Sequence, residues 1–214
     1  MIKVVLWDFG GVITSSPFEA FNRYEQERGL PADFLRRVNA TNPDTNAWAM
    51  LESSQVSPEE FDLLFAQESE SLGHRVPGLE VLQLLAGDIR PKMVAALRAI
   101  KSRYRIACIT NNIKGAGEGP GMASDAGKAA QVGEVMELFD HVIESSLVGY
   151  RKPDPRIYQL ACEKMGCTPE EALFLDDLGI NLKPARAMGM QTIKVLNEQQ
   201  ALADLSSALS MELG

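Results

Sequence analysis

Histidine, cysteine and, over one long stretch, lysine are scarce in this chain. Its 214 residues include two histidines and three cysteines, and neither set has the spacing of a metal site. His74 and His141 lie far apart in sequence and read as structural. Cys108 falls within the apolar run Ile106-Ala107-Cys108-Ile109, where packing is its expected role. Cys162 and Cys167 form no CxxC pair. An odd number of cysteines, with no signal-peptide pattern, leads to the expectation of a reducing, cytoplasmic setting. No apolar run approaches the roughly 20 residues of a membrane span. No lysine occurs between Lys3 and Lys92, so that stretch offers no amine for Schiff-base chemistry. Positive charge is scarce overall, with 21 Lys and Arg against 29 Asp and Glu and a net charge of -8. Nonspecific binding to nucleic acid or to an anionic membrane is therefore not expected.

The remaining composition is ordinary for a globular protein, 45% hydrophobic and 23% charged. Ile2 to Trp7 reads as a short buried strand. Pro17 to Leu85 then carries helical stripes, such as Phe18, Phe21 and Tyr24, and Phe61, Leu64 and Phe65. Ser57-Pro58-Glu59-Glu60 has the form of a helix start. From Pro91 onward, helical and strand patterns alternate. Strands are expected at 105–110, 140–144, 172–175 and 191–195, and helices at 91–104, 132–138, 155–165, 181–188 and 198–209. Such alternation implies an α/β fold, a Rossmann-like parallel sheet with helices on both faces. The helical stretch before it reads as an insertion. Residues 113–130, rich in glycine and polar side chains, are expected to form a long mobile loop.

Polar residues recur just past the ends of successive expected elements. Asp8 follows the first strand and precedes Gly10 and Gly11. Thr110-Asn111 ends the second, Lys152 lies in Gly149-Tyr150-Arg151-Lys152-Pro153, and Asp176-Asp177 is followed by Asn181. In an open parallel sheet these ends share one edge, where ligands bind. Three carboxylates suit Mg²⁺, which takes oxygen ligands. A hydroxyl, backbone amides and a lysine suit phosphate oxygens. Together they read as metal-assisted phosphoryl transfer. Taken singly, each motif has a plainer reading: a turn, a helix cap or a solvated loop. Trp48, Met50 and Leu51 are expected to pack a core helix, a pocket wall being the alternative. Lys183 and Arg186 are expected to be solvated or to pack their helix.

Asp8-Phe9-Gly10-Gly11-Val12, Ile109-Thr110-Asn111-Asn112, Lys152-Pro153-Asp154-Pro155-Arg156-Ile157-Tyr158 and Phe174-Leu175-Asp176-Asp177-Leu178-Gly179-Ile180-Asn181 resemble, in order, the four motifs of the haloacid dehalogenase-like (HAD) hydrolases. Residues 139–194 look particularly like the amino-terminal phosphatase domain of soluble epoxide hydrolases, and like hydrolase-like domains fused to acyl-CoA dehydrogenases. The resemblance implies a core of residues 1–15 and 87–214 with a helical C1-type cap at 16–86. It implies that Asp8 is a nucleophile forming an aspartyl-phosphate. Mg²⁺ would be held by Asp8, the Gly10 carbonyl and Asp177. Thr110 and Asn111 would bind phosphate, Lys152 would neutralise charge on Asp8 and the phosphoryl group, Asp176 would support the metal through water or indirect bonds, and Asn181 would orient the neighbouring acids. The substrate implied is a small phosphorylated metabolite.

Gly10 departs from the family's phosphatase pattern, which has a second aspartate there as general acid and base. Three readings stay open: a phosphatase that takes its proton elsewhere, a different chemistry, or a phospho-ligand or partner-binding protein without turnover. Among other chemistries of the family, Asp176-Asp177 argues against metal-free dehalogenation. The missing lysines argue against a Schiff base, and Gly10 argues against a phosphomutase.

Overall fold

Strand β1 (Val4–Trp7) is buried along its whole length, and its side chains alternate between two cores. Val5 and Trp7 enter one apolar cluster while Val4 and Leu6 enter the other. β2 (Arg105–Thr110) repeats this, with Ile106 and Cys108 on one face and Ala107 and Ile109 on the other. So does β4 (Ala172–Asp176), with Leu173 and Leu175 opposed to Ala172 and Phe174. The period of two, apolar on both sides, is what a covered parallel sheet requires. β3 (His141–Glu144) and β5 (Gln191–Lys194) complete a five-stranded sheet of order β3-β2-β1-β4-β5, with every pairing parallel. The computed structural model describes residues 1–85, 87–112 and 126–213.

Helices cover both faces. On the first lie α6 (Pro91–Lys101), α7 (Ala126–Met136) and α11 (Glu198–Leu209), through residues such as Met93, Leu97, Val132 and Leu205. On the second lie α9 (Pro155–Met165) and α10 (Gly179–Ala187), through Ile157, Tyr158, Leu182 and Ala185. The short α8 (Ser145–Val148) follows β3 directly. Among the described residues, five helices come between β1 and α6: α1 (Pro17–Arg28), α2 (Phe34–Ala40), α3 (Ala47–Glu52), α4 (Pro58–Ser71) and α5 (Gly78–Gln83). They have an apolar cluster of their own, including Phe21, Phe34, Phe61 and Phe65. Trp48 meets Phe61 and Phe65 edge-on, with Phe61 at 5.3 Å, and Leu51 is buried in the same cluster, so the core-helix expectation holds for these two residues, while Met50 is half-buried outside the cluster. The two chain segments that join this insertion to the sheet run side by side. Ser15 N donates to Asp88 O at 2.8 Å, and Arg90 N to Ile13 O at 2.8 Å.

Local signals match the expected boundaries. Ser57 and Glu60 form a reciprocal capping box at the start of α4, with bonds of 2.8 and 3.2 Å. β2, α9 and α11 occupy the residues expected of them. The loop expectation for 113–130 needs correction at one end: residues 126–130 are the first turns of α7, where Ala129 and Ala130 favour helix over coil. Residues 113–125 lie outside the described part of the chain. The separate cluster of the insertion predicts local behaviour for a core deletion there. Phe61→Ala should cost about 3–5 kcal/mol in urea unfolding. Under native conditions, amide protection should fall in α3 to α5 before it falls in β1 and β2.

Candidate active site

Strands added after β1 extend the sheet to one side, and β4 and β5 lie on the other. The order reverses between β1 and β4, and in open parallel sheets ligands bind beyond the carboxyl ends of the strands at such a point. Trp7 is in register with Leu175, and Asp8 N donates to Leu175 O at 2.8 Å. Asp8 and Asp176 thus leave adjacent strands at the same level. Asp8, Asp176 and Asp177 each offer a carboxylate oxygen within 4.8 Å of the others.

Lys152 lies inside this acidic group. Its Nζ is 2.7 Å from Asp8 Oδ1 and 2.8 Å from Asp176 Oδ2, and the residue is 1% exposed. Its backbone is gripped by Asn111, whose Oδ1 accepts from Lys152 N at 2.9 Å and whose Nδ2 donates to Lys152 O at 3.0 Å. Asn111, expected to bind phosphate, therefore also fixes the lysine, and keeps one amide hydrogen for another acceptor. Asp176 is fully committed. Asn181 Nδ2 lies 3.0 Å from both its oxygens, and Leu178 N donates to Oδ1 at 2.8 Å. Asn181 is held in turn by Tyr158, whose hydroxyl donates to the Asn181 carbonyl at 2.7 Å. Phe9 N donates to Asp8 Oδ1 at 2.7 Å. Thr110 is the last residue of β2 and is buried. Lys183 is exposed, and Arg186 reaches Thr192 Oγ1 at 2.8 Å, in line with a helix-packing role.

The charges do not balance locally, with three acids to one lysine. Burial raises the Asp8 carboxyl above its ordinary range; Lys152 opposes this, and Asp176 and Asp177 add to it. Burial and then Asp176 push Asp177 up to about 6, against the pull of Lys152 and Ser16. Burial would lower Lys152, but Asp176 and Asp8 outweigh it and hold the ammonium firmly protonated. The surplus of buried negative charge, all on oxygen, fits a divalent cation such as Mg²⁺. Cys108, beneath the site, is kept as a thiol by burial and offers no nucleophile.

The two glycines differ. Gly11 has φ +75°, and a Cβ there would stand 2.2 Å from Asp177 Oδ2. It is the close approach of Asp177 that requires glycine. A Cβ at Gly10 would meet nothing within 4 Å, so a side chain could be accommodated there and simply is not present. Sequence reasoning missed Ser16, whose hydroxyl donates to Asp177 Oδ2 at 3.3 Å from 161 residues away. It also missed Asn112, whose backbone N donates to Ser145 Oγ at 3.0 Å. Its place as the last residue of the second motif was the signal for Asn112. Ser16 had none, because its partner is set by the fold.

A doubly wound α/β fold with a buried carboxylate–lysine centre at its switch point defines an enzyme-like class of protein. The model of the haloacid dehalogenase-like hydrolases matches residues 2–189, and the chain belongs to that family. It is 30% identical to acyl-CoA dehydrogenase family member 10 of Mus musculus over 99% of this chain and 19% of that protein. It is 31% identical to bifunctional epoxide hydrolase 2 of Mus musculus, over 95% of this chain and 38% of that protein. The chain thus spans well under half the length of these two relatives. The phosphatase MT3486 of Mycobacterium tuberculosis is 30% identical, over 96% of this chain and 94% of its own length. Among solved structures, a HAD-like family hydrolase from Porphyromonas gingivalis superimposes with a TM-score of 0.66 at 21% identity, covering 98% of each chain.

The contrast between the glycines can be measured. Gly11→Ala should destabilise the protein by more than about 1 kcal/mol in urea unfolding, because positive φ and the Asp177 contact both penalise it. Gly10→Ala should stay within roughly 0.5 kcal/mol of the parent.

Proposed function

We propose that this protein is a Mg²⁺-dependent phosphatase acting on a small phosphomonoester through an aspartyl-phosphate at Asp8. The observation that carries the reading is the buried Asp8–Lys152–Asp176 ion cluster, with Asp177 beside it, at the switch point of the sheet. Similarity to phosphatase MT3486 along nearly its full length supports it.

In this reading Asp8 forms a bond to phosphorus as the bond from phosphorus to the leaving oxygen breaks. Water then cleaves the aspartyl-phosphate and returns Asp8. Lys152 offsets charge on Asp8 and on the phosphoryl oxygens. The Thr110 hydroxyl and the free Asn111 amide hydrogen bind those oxygens. Asp176 and Asn181 keep Lys152 in place. Asp8, the Gly10 carbonyl and Asp177 would hold Mg²⁺, which when bound neutralises charge and polarises a phosphoryl oxygen. Residues 16–86 act as the cap that sets substrate choice by closing over the site. They carry twelve acidic residues against five arginines and no lysine, almost all of the chain's net -8. That charge disfavours polyanionic substrates and favours a single phosphate on a neutral alcohol. A cytoplasmic location accords with three free cysteines.

Gly10 is exposed, so the leaving oxygen takes its proton from solvent. General acid help is worth roughly 10²–10⁴-fold, and its absence favours substrates with good leaving groups, such as acyl phosphates and sugar-1-phosphates. The same glycine supports a second reading: a phospho-ligand or partner-binding protein without turnover. A panel of phosphomonoesters with Mg²⁺ separates the two. Phosphate release abolished by Asp8→Asn supports the phosphatase, whereas Mg²⁺ binding without release from any substrate supports the binder. Gly10→Asp, which the open space admits, should accelerate poor leaving groups more than good ones; an equal change across leaving groups would remove proton transfer as the limit.

Asp177 supplies a pH prediction. Its pKa is raised from 3.8 to about 6 by folding, so its contribution to metal-free stability is present below about pH 4 and lost as pH rises through about 6. Protons and Mg²⁺ compete for it. The rise in melting temperature on adding Mg²⁺ should be larger above about pH 7 than near about pH 5, as read by differential scanning calorimetry.

A further inference from the structure

Glu52 closes α3 in the insertion, and Arg151 immediately precedes Lys152. Arg151 Nε is 2.5 Å from Glu52 Oε2, with the side chains 21% and 10% exposed. Burial raises the Glu52 carboxyl and Arg151 opposes that shift. A buried pair of this kind is a weak source of stability, because desolvation offsets much of its attraction. It does fix one alignment between the parts it joins. Here those parts are α3, which belongs to the insertion's own apolar cluster, and the loop that carries the catalytic lysine.

Further bonds cross at the same place. Ser145 Oγ donates to the Glu52 carbonyl at 2.9 Å, Ser54 Oγ donates to Ser146 O at 3.2 Å, and Arg151 donates to Pro43 O at 3.1 Å. On the sheet side these bonds lead into the site. Ser145 Oγ accepts from Asn112 N at 3.0 Å, and Ser146 N donates to Asn112 Oδ1 at 3.2 Å. The neighbouring Asn111 grips the backbone of Lys152. The contact between insertion and sheet is thus one or two residues from both Lys152 and Thr110-Asn111.

We propose that Glu52 and Arg151 are positioning residues whose pairing latches the insertion over the site. Through Ser145 and Asn112 on one side and the Arg151–Lys152 peptide on the other, the latch sets Lys152 and the Thr110–Asn112 segment for phosphoryl transfer. The catalytic half of this inference rests on the phosphatase reading; the mechanical half stands on the contacts alone.

Hydrogen exchange and kinetics on Glu52→Gln, Arg151→Gln and the double variant test it, with p-nitrophenyl phosphate as the kinetic probe. Each single variant should speed exchange at the Asn112 and Ser146 amides. Each should lower kcat by roughly threefold to thirtyfold while KM holds. The double variant should be no worse than the worse single, and Glu52→Asp should restore part of kcat. Unchanged exchange at both amides in both single variants, or additive losses in the double, would overturn the latch. If the parent protein releases no phosphate, the phosphatase reading fails and the exchange experiment alone decides the latch. Should Glu52→Gln fail to fold, Arg151→Lys carries the same expectation, since it keeps the charge but shortens the reach.

Discussion

Two carboxylates and one ammonium, all nearly dry, hold the centre of this molecule together. Lys152 bridges Asp8 and Asp176 at 2.7 and 2.8 Å. Neither strand end could bury its acid without that cation, because an unpaired buried charge costs several kcal/mol. The lysine could not be buried without the acids. The surrounding structure serves to keep this contact in place. Asn111 holds the lysine backbone, Asn181 and the Leu178 amide hold Asp176, and Tyr158 holds Asn181. The Lys152 ammonium also lies 5.7 Å from the centre of the Phe174 ring, which belongs to the apolar face below. The geometry of the ion cluster and the packing of the core are continuous at this point.

One acid in the site has no lysine to itself. Asp177 approaches Gly11 so closely that any side chain there would collide with it, and its only side-chain hydrogen bond among the described residues comes from Ser16, at the root of the insertion. It is also the acid with a pKa moved to about 6. A carboxylate only partly compensated by its neighbours is what a divalent cation would relieve, and that imbalance supports the proposal of a metal-dependent phosphatase. The neighbouring Gly10 pulls the other way. It keeps the backbone carbonyl and offers no proton donor, so in the proposed phosphatase the site would be poorly equipped to protonate what leaves.

Much of this was legible in the chain before folding was considered. Apolar runs located β1, β2 and β4, which are buried on both faces, and alternation with helices located the edge strands β3 and β5, which are only partly buried. Helices with clear caps or proline starts, α4, α9 and α11, fell where their signals put them. The start of α7 did not, because the glycine-rich stretch before it masks where alanine-rich helix begins. The four motifs named Asp8, Thr110, Asn111, Lys152, Asp176, Asp177 and Asn181; three of the motifs lie at strand ends, which share one edge in a parallel sheet, and the Lys152 motif follows the short α8 after β3.

By itself the sequence determined the order of elements, the identity of the acids and the lysine, and the absence at Gly10. Those are properties of local pattern and residue type. Only the tertiary structure decided that Lys152 touches two acids at once, that Asn111 spends its amide on Lys152, and that Ser16, Glu52 and Arg151 belong to the site's surroundings. These contacts join residues up to 161 positions apart. They depend on strand register and on how the insertion is seated, and no periodicity along the chain records either.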